Sequence, residues 1–290
     1  MKKKIFMLRI YFICFIIVLT ACPKNPENFA VSTDGVHIQY YENGRGEPPI
    51  VLVHGFASDH WDWEFQATHF SNKHRVVVVE LAGFGASGNQ RENWTMEMFG
   101  KDVVSVIEHL NLDDIVLVGQ SMGGAVILEA AKRIPEKICG LVPVDMFQNV
   151  ESKYPVENID QRIERVMERV QHPDREEIRK AFKRKVDPII IDRIIHCFES
   201  SSKIGWESSI RDLGRWLNQD LIPALEEIKL PITCINSDNQ ETHVEIGRKY
   251  TPLFDAVVIE NTGHAVMLDA PDEFNRALEN VIMEFSELKR

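Results

Sequence analysis

The stretch Ile115–Gly123 (IVLVGQSMG) decides the fold of this 290-residue chain. Its first four residues are apolar and mostly β-branched, which predicts a strand buried on both faces of a parallel sheet. A Gly-x-Ser-x-Gly sequence follows at once, and a helical pattern begins at Met122. In this context Ser121 occupies a sharp strand-to-helix turn, where the helix N-terminus supplies N–H groups and positive potential. The pattern predicts a nucleophilic serine with an oxyanion site beside it.

Short apolar runs alternate with helical patterns on both sides of this stretch. The strand candidates are Val36–Tyr41, Ile50–His54, Arg75–Glu80, Ile115–Val118, Leu141–Val144, Ile232–Ile235 and Ala256–Glu260. Strand and helix in turn predict an α/β fold with a doubly wound, mostly parallel sheet. Residues 147–216 break the alternation with amphipathic helical stripes, which predicts an inserted helical lid over the carboxyl edge of the sheet. Residues 29–146 and 217–290 are predicted to form the core.

Two further motifs occur in the order that a known family uses. His54–Phe56 (HGF) ends the second strand candidate, and Asn261–His264 (NTGH) follows the last one. Together with the serine turn, these motifs resemble those of the alpha/beta-hydrolase superfamily. The resemblance implies an alpha/beta-hydrolase fold in which His264 is the general base. It also implies that the backbone N–H groups of Phe56 and Met122 form the oxyanion hole.

The acid of the catalytic triad is where the sequence departs from the family pattern. The family usually carries this acid after the strand that precedes the histidine strand, and here Gln240 occupies that position. Glutamine has no charge with which to stabilise an imidazolium. Asp145 follows the strand Leu141–Val144, a position that some branches of the family use, and Asp238 lies two residues before Gln240. We expect Asp145 to be the acid, with Asp238 as the alternative.

A serine nucleophile indicates acyl transfer through an acyl-enzyme that water then hydrolyses. Trp61 and Phe147 adjoin the predicted catalytic loops and are candidates for an apolar substrate pocket. We therefore expect a carboxylesterase-like enzyme that acts on a small to medium ester. A carbon–carbon bond hydrolase or a lactonase would use the same machinery. A ligand-binding protein without turnover is the alternative from another class, because Gln240 replaces the usual acid.

The first 28 residues predict export. A basic start, with four cations and no anion before residue 22, precedes ten uncharged residues, Ile10–Leu19. Ten residues are too few to cross a bilayer core of about 30 Å but suit a signal peptide. Leu19–Cys22 (LTAC) resembles a bacterial lipobox, which implies a signal peptide over residues 1–21 and a lipid on Cys22. Residues 22–28 would then tether a protein anchored on the periplasmic or surface side of a bacterial membrane.

Charge and composition argue against several partner classes. The formal charge of −11, from 33 Lys and Arg against 44 Asp and Glu, argues against binding to nucleic acid, which needs a basic face. Without residues 1–21 the chain would hold 29 cations and a charge of −15. Gly83–Gly88 has a dinucleotide-like glycine spacing, but no helix start follows, so no cofactor is predicted. Cys139, Cys197 and Cys234 lack metal-ligand spacing and are expected to be buried thiols, and no metal site is predicted.

Overall fold

The structure, a computed structural model, describes residues 28–200 and 202–289. The predicted signal peptide and Cys22 lie outside the described residues. The strands are β1 (Phe29–Val31), β2 (His37–Asn43), β3 (Ile50–Val53), β4 (Val76–Val79), β5 (Ile115–Gln120), β6 (Ile138–Val144), β7 (Ile232–Ser237) and β8 (Phe254–Ile259). They form an eight-stranded sheet in the order β1-β2-β4-β3-β5-β6-β7-β8.

The sheet is antiparallel only at the β1 and β2 end, and its pairs from β4 through β3 to β8 are parallel. All residues of β3, β4 and β5 are buried. Runs such as Ile50–Val53 and Val76–Val79 are apolar throughout because helices cover both faces of the sheet. The doubly wound, mostly parallel α/β sheet predicted from the sequence is confirmed.

Helices cover the two faces and fill one long connection between strands. They are α1 (Glu64–Phe70), α2 (Met96–His109), α3 (Met122–Ala131), α4 (Ile159–Gln171), α5 (Arg175–Lys180), α6 (Pro188–Ser200), α7 (Trp206–Gln219), α8 (Leu221–Glu227), α9 (Val244–Arg248), α10 (Val266–Asp269) and α11 (Pro271–Leu288). Within the described ranges, no helix is long and apolar enough to span a bilayer.

The helices α4–α8 between β6 and β7 form the helical insertion, the name used from here on. The predicted lid, residues 147–216, overlaps this insertion but does not coincide with it: the first α-helix begins at Ile159, and α7 runs through residue 216 to Gln219. The strongly amphipathic α4 buries Ile163 and Val170 and leaves its charged face exposed. The insertion returns the chain to the sheet at Ile232, the first residue of β7.

Local sequence explains where α2 begins and why α3 is buried. The Thr95 side chain accepts a hydrogen bond from the N–H of Met98, which caps α2 at its N-terminus. Every residue of α3 is buried, in keeping with its apolar sequence MGGAVILEAA.

The parallel register places Val53 beside Gly119 and Gln120 beside Val144. The loops that follow β3, β5 and β6 therefore meet at one carboxyl edge of the sheet, where ligands bind in open α/β folds.

Candidate active site

Ser121 occupies a strained turn between β5 and α3. Its backbone has φ 50° and ψ −119°, a conformation that residues with a side chain rarely adopt. Two glycines make the turn possible. A Cβ atom at Gly119 would overlap the backbone of Gly123, and one at Gly123 would lie 2.7 Å from the carbonyl oxygens of Val53 and His54. The sequence Gly-x-Ser-x-Gly is therefore required by close backbone approach, and the strain presents the Ser121 side chain at the sheet edge.

Asp145 and His264 form a hydrogen-bonded pair at the same edge. The Nδ1 atom of His264 lies 2.6 Å from Oδ2 of Asp145. The other carboxylate oxygen, Oδ1, accepts hydrogen bonds from the backbone N–H of Ser237 at 2.9 Å and from its hydroxyl at 2.7 Å. Burial by itself raises the pKa of the Asp145 carboxyl, but the bonds from His264 and Ser237 outweigh burial and hold this pKa below its usual value.

Asp238, the alternative acid, forms its hydrogen bonds with residues other than His264. Oδ1 of Asp238 lies 2.7 Å from Nζ of Lys183 and also accepts from the N–H of Thr262 at 3.3 Å. The hydrogen bond from Lys183 lowers the pKa of Asp238 to about 2. Gln240, at the position usual for the acid, is exposed in the turn that follows β7. The structure thus brings Asp145 to His264 and pairs Asp238 with a lysine of the helical insertion.

Ser121 and His264 line one cavity. The Asp145 side chain is only 5% exposed, whereas the His264 side chain is 57% exposed and accessible from the cavity. In the described part of the chain, no hydrogen bond links Ser121 Oγ to the imidazole. Catalytic hydrogen bonds are often long until a substrate tightens them. The observation that connects Ser121 with His264 is therefore that both side chains line the same cavity.

The loop after β3 carries the predicted oxyanion donor of Phe56. The Phe56 ring packs edge-on against Trp206 and Phe84, with centroid separations of 5.1 and 5.9 Å. The buried ring of His54 lies 2.7 Å from the carbonyl oxygen of Gly55 through Nδ1 and accepts the N–H of Leu81 through Nε2. Burial lowers the pKa of His54, which keeps the ring neutral. His54 therefore stabilises this loop from within the core.

A polar cluster of Asp59, His60 and Glu80 supports the same loop. Their ligand-type atoms lie within 4.8 Å of one another, an arrangement that could hold a metal ion. Both Glu80 oxygens already accept hydrogen bonds from the protein, from His60 Nδ1 at 2.5 Å and from the N–H of Ala86 at 2.6 Å. These bonds outweigh burial, which alone would raise the pKa of Glu80, and the pKa lies below its usual value. We interpret the cluster as support for the loop.

A cavity of about 410 Å³ lies between the sheet edge and the helical insertion. Its apolar lining comes largely from the insertion: Val166, Val170, Ile178, Ala181, Phe182, Ile190, Ile194, Cys197 and Phe198. Trp61, one of the two predicted pocket residues, lines it. The prediction for Phe147 was wrong, because its ring is buried against Trp216 in the main core and takes no part in the cavity wall that the described residues form.

Three polar residues at the site were not anticipated from the sequence. Gln120 donates through Nε2 to the carbonyl oxygen of His264 at 3.3 Å, and its Oε1 lies against Gly55. Asp269 accepts the N–H groups of Gly263, at 2.6 Å, and of Lys183, at 3.0 Å. Asp62 lines the cavity. Gln120 occupies an unspecified position of the Gly-x-Ser-x-Gly motif, so the motif gives no reason to select it. Asp62 lies one residue from Trp61, and this proximity was the one sequence signal that pointed towards the pocket.

Comparison with known proteins places the chain in a family. The sequence profile of the alpha/beta hydrolase family matches residues 50–277, and the chain belongs to this family. The chain spans about a third of several curated relatives, among them human epoxide hydrolase 4, which is 27% identical over 128 residues, covering 43% of this chain and 35% of that protein.

One relative and one solved structure are similar over most of their length. The (E)-2-((N-methylformamido)methylene)succinate hydrolase of Acinetobacter baylyi is 25% identical over 249 residues, covering 83% of this chain and 92% of that protein. The structure of a thermophilic esterase from Thermogutta terrifontis superposes with a TM-score of 0.73 at 23% identity, covering 90% of this chain and 99% of that one. The structural likeness shows a shared fold.

Proposed function

We propose that this chain is a serine hydrolase that cleaves a small to medium carboxylic ester. Ser121 is the nucleophile, His264 the general base and acid, and Asp145 the carboxylate that orients and stabilises the imidazole. The single observation that carries the proposal is the Asp145–His264 pair, at 2.6 Å, opening onto the cavity that Ser121 also lines. This pair would supply the acid that Gln240 cannot, and it therefore supports an enzyme over a binding protein without turnover.

The proposed reaction follows from this geometry. Because Nδ1–H of His264 is donated to Asp145, Nε2 is left to take the Ser121 proton while Oγ attacks the ester carbonyl carbon. The carbonyl electrons move to oxygen, and the N–H groups of Phe56 and Met122 stabilise the resulting oxyanion. Collapse expels the alcohol, which receives the proton from His264. Water then attacks the acyl-enzyme by the same steps, releasing the carboxylic acid and restoring Ser121.

Substrate size follows from the cavity. A volume of about 410 Å³ with largely apolar walls suits a small to medium acyl or alcohol group. We propose that the helical insertion is a lid, because its helices α4, α5 and α6 supply much of the wall facing Ser121. Esterase activity in a structural neighbour and hydrolysis in the Acinetobacter relative support the reaction class.

A fluorophosphonate probe tests the assignment of the nucleophile, because it phosphonylates an activated serine. We expect one covalent label on the folded protein and none on Ser121→Ala, with ester turnover falling about 10⁶-fold. A series of aryl esters of increasing acyl length then measures the size limit of the cavity. A folded wild-type protein that takes no label and hydrolyses no ester in the series would contradict the proposal and favour a binding protein.

A further inference from the structure

The charged side chains that line the cavity differ in whether their polar atoms already have partners within the protein. Arg193 pairs with Glu64 and lies over the Trp61 ring, 4.3 Å from its centroid. Asp59 accepts the backbone N–H of Trp61 at 2.9 Å, as the cap of the short helical turn His60–Trp63. Arg169 is exposed to solvent on α4. Asp62 is the remaining carboxyl of the cavity lining, and it is partly buried.

One oxygen of Asp62 is available to a ligand. Its Oδ2 accepts a hydrogen bond from the hydroxyl of Ser58, which also lines the cavity. Its Oδ1 has no hydrogen-bond partner among the described residues, and it is not one of the fully enclosed polar atoms. A carboxyl oxygen left unpaired beside apolar walls is costly unless a substrate atom or solvent pairs with it.

The surroundings bring the pKa of this carboxyl close to neutral pH, so that its protonated form predominates in mildly acidic solution. Burial raises the pKa of Asp62 to about 7; the Ser58 hydroxyl opposes this rise, and the nearby Asp59 carboxylate adds to it. His264 and His60 lie close enough to lower the pKa when they are charged. In its acid form Asp62 can donate its O–H to a carbonyl oxygen, whereas the carboxylate can only accept hydrogen bonds.

We propose that Asp62 is a specificity-determining residue that hydrogen-bonds to a second carbonyl group of the substrate inside the cavity. The preferred ester therefore carries an oxo group on the part that the cavity encloses. This inference rests on the proposed function, since it concerns which ester Ser121 attacks. In this proposal Asp62 transfers no proton during the reaction, and it acts by binding the substrate.

The test compares matched esters with and without the oxo group. One pair is the hexanoate and 5-oxohexanoate of the same aryl alcohol, and the second pair is the acetates of hexanol and of 6-hydroxyhexan-2-one. The ratio of kcat/KM within a pair cancels any pH dependence that the two esters share. For wild type we expect a preference of about 10-fold for the oxo ester in at least one pair at about pH 5.5. The preference should fall towards parity at about pH 8.5, when the carboxyl has lost its proton.

Two variants separate this role from a structural one. Asp62→Asn keeps a donor at every pH, so its preference for the oxo ester should persist and no longer change with pH. Asp62→Leu should lose the preference at both pH values. Fluorophosphonate labelling of Ser121 in each variant reports separately on the proposed function. The inference is overturned if labelled wild type shows no oxo preference in either pair, or if Asp62→Asn retains the pH dependence of wild type.

Discussion

The carboxylate of Asp145, at the end of β6, hydrogen-bonds both to the end of β7 and to the loop that carries His264. Asp145 follows β6 with a positive φ of 48°, which turns its side chain towards the end of β7. Ser237 on β7 takes one carboxylate oxygen through two hydrogen bonds, which leaves the other oxygen for His264. Because these bonds hold the pKa of Asp145 below its usual value, the carboxylate remains ionised at neutral pH. In the proposed reaction it would offset the positive charge that His264 acquires.

Replacing Asp145 tests the acid directly. We expect Asp145→Asn to lower kcat about 10⁴-fold, because the amide neither stabilises an imidazolium nor enforces the productive tautomer. Asp238→Asn is the matched control, since its carboxylate is exposed and paired with Lys183. We expect that variant to stay within about threefold of wild type, as exposed ion pairs contribute little. Ester hydrolysis measured on both folded variants decides between them. A collapse of turnover in Asp238→Asn alone would transfer the acid role to Asp238.

At the scale of elements, α3 packs so closely on β3 that its first turn tolerates no side chain at one position. A Cβ at Gly123 would meet the carbonyl oxygens of Val53 and His54, which are backbone atoms and cannot rotate away. The same contact sets the distance between the Ser121 turn and the loop that carries Phe56. The spacing of the two proposed oxyanion donors thus depends on a glycine that is not among the described residues lining the cavity.

Gly123→Ala should therefore cost about 1–3 kcal/mol of unfolding free energy through overpacking, and it should reduce kcat as the two loops separate. Gly124→Ala, one residue further along α3, is the matched control. Its Cβ would meet only side-chain atoms, the nearest being Cγ of Met146 at 3.2 Å, and alanine also favours a helix interior. Urea denaturation and ester turnover of the two variants provide the comparison. Equal stability and turnover in both would show that the close approach has no cost.

The histidine loop and the helical insertion are coupled through one carboxylate. Asp269 on α10 accepts the N–H of Gly263, next to His264, and the N–H groups of Lys183 and Arg184 between α5 and α6. Three backbone donors on one carboxylate fix both segments relative to each other. The wall of the cavity and the proposed base are therefore held by the same group, so a shift of the insertion would be transmitted to the base.

At the scale of the whole molecule, we propose that the acidic chain is held at a membrane by a lipid on Cys22 rather than by surface charge. Without residues 1–21 its formal charge would be −15, which disfavours adhesion to anionic lipid. The predicted signal peptide and Cys22 precede the described residues, which begin at Asn28, close to β1. The polar residues between Cys22 and β1 would serve as a short tether.

Cys22→Ser tests the anchor. Expressed from the full sequence in a bacterium that processes lipoproteins, wild type should fractionate with membranes and incorporate an alkyne fatty acid. Cys22→Ser should lose the label and leave the membrane fraction unless its signal peptide stays uncleaved, which the mass of the product reveals. Cys14→Ser is the control, because position 14 belongs to the segment predicted to be removed. Fatty-acid labelling of Cys22→Ser at the wild-type level would contradict the anchor.

Much of the fold could be predicted because its signals are local. Strand runs such as Val76–Val79 are recognisable from apolar β-branched residues alone, and the serine turn follows from two glycines that the backbone requires. The pocket was harder to predict. Phe147 and Trp61 both adjoin predicted catalytic loops, yet Phe147 turns into the core and packs on Trp216. Proximity along the chain does not specify the direction of a side chain.

The sequence by itself determined the doubly wound architecture and the positions of Ser121 and His264, since turn chemistry and hydrophobic periodicity act over a few residues. Only the tertiary structure decided which carboxylate meets His264, because Asp145 lies 119 residues away and reaches it through the pairing of β6 with β7 and of β7 with β8. It also decided that Asp62 lines the cavity with one oxygen unpaired. Both depend on which elements become neighbours, and that choice is made by packing of the whole core rather than by any local pattern.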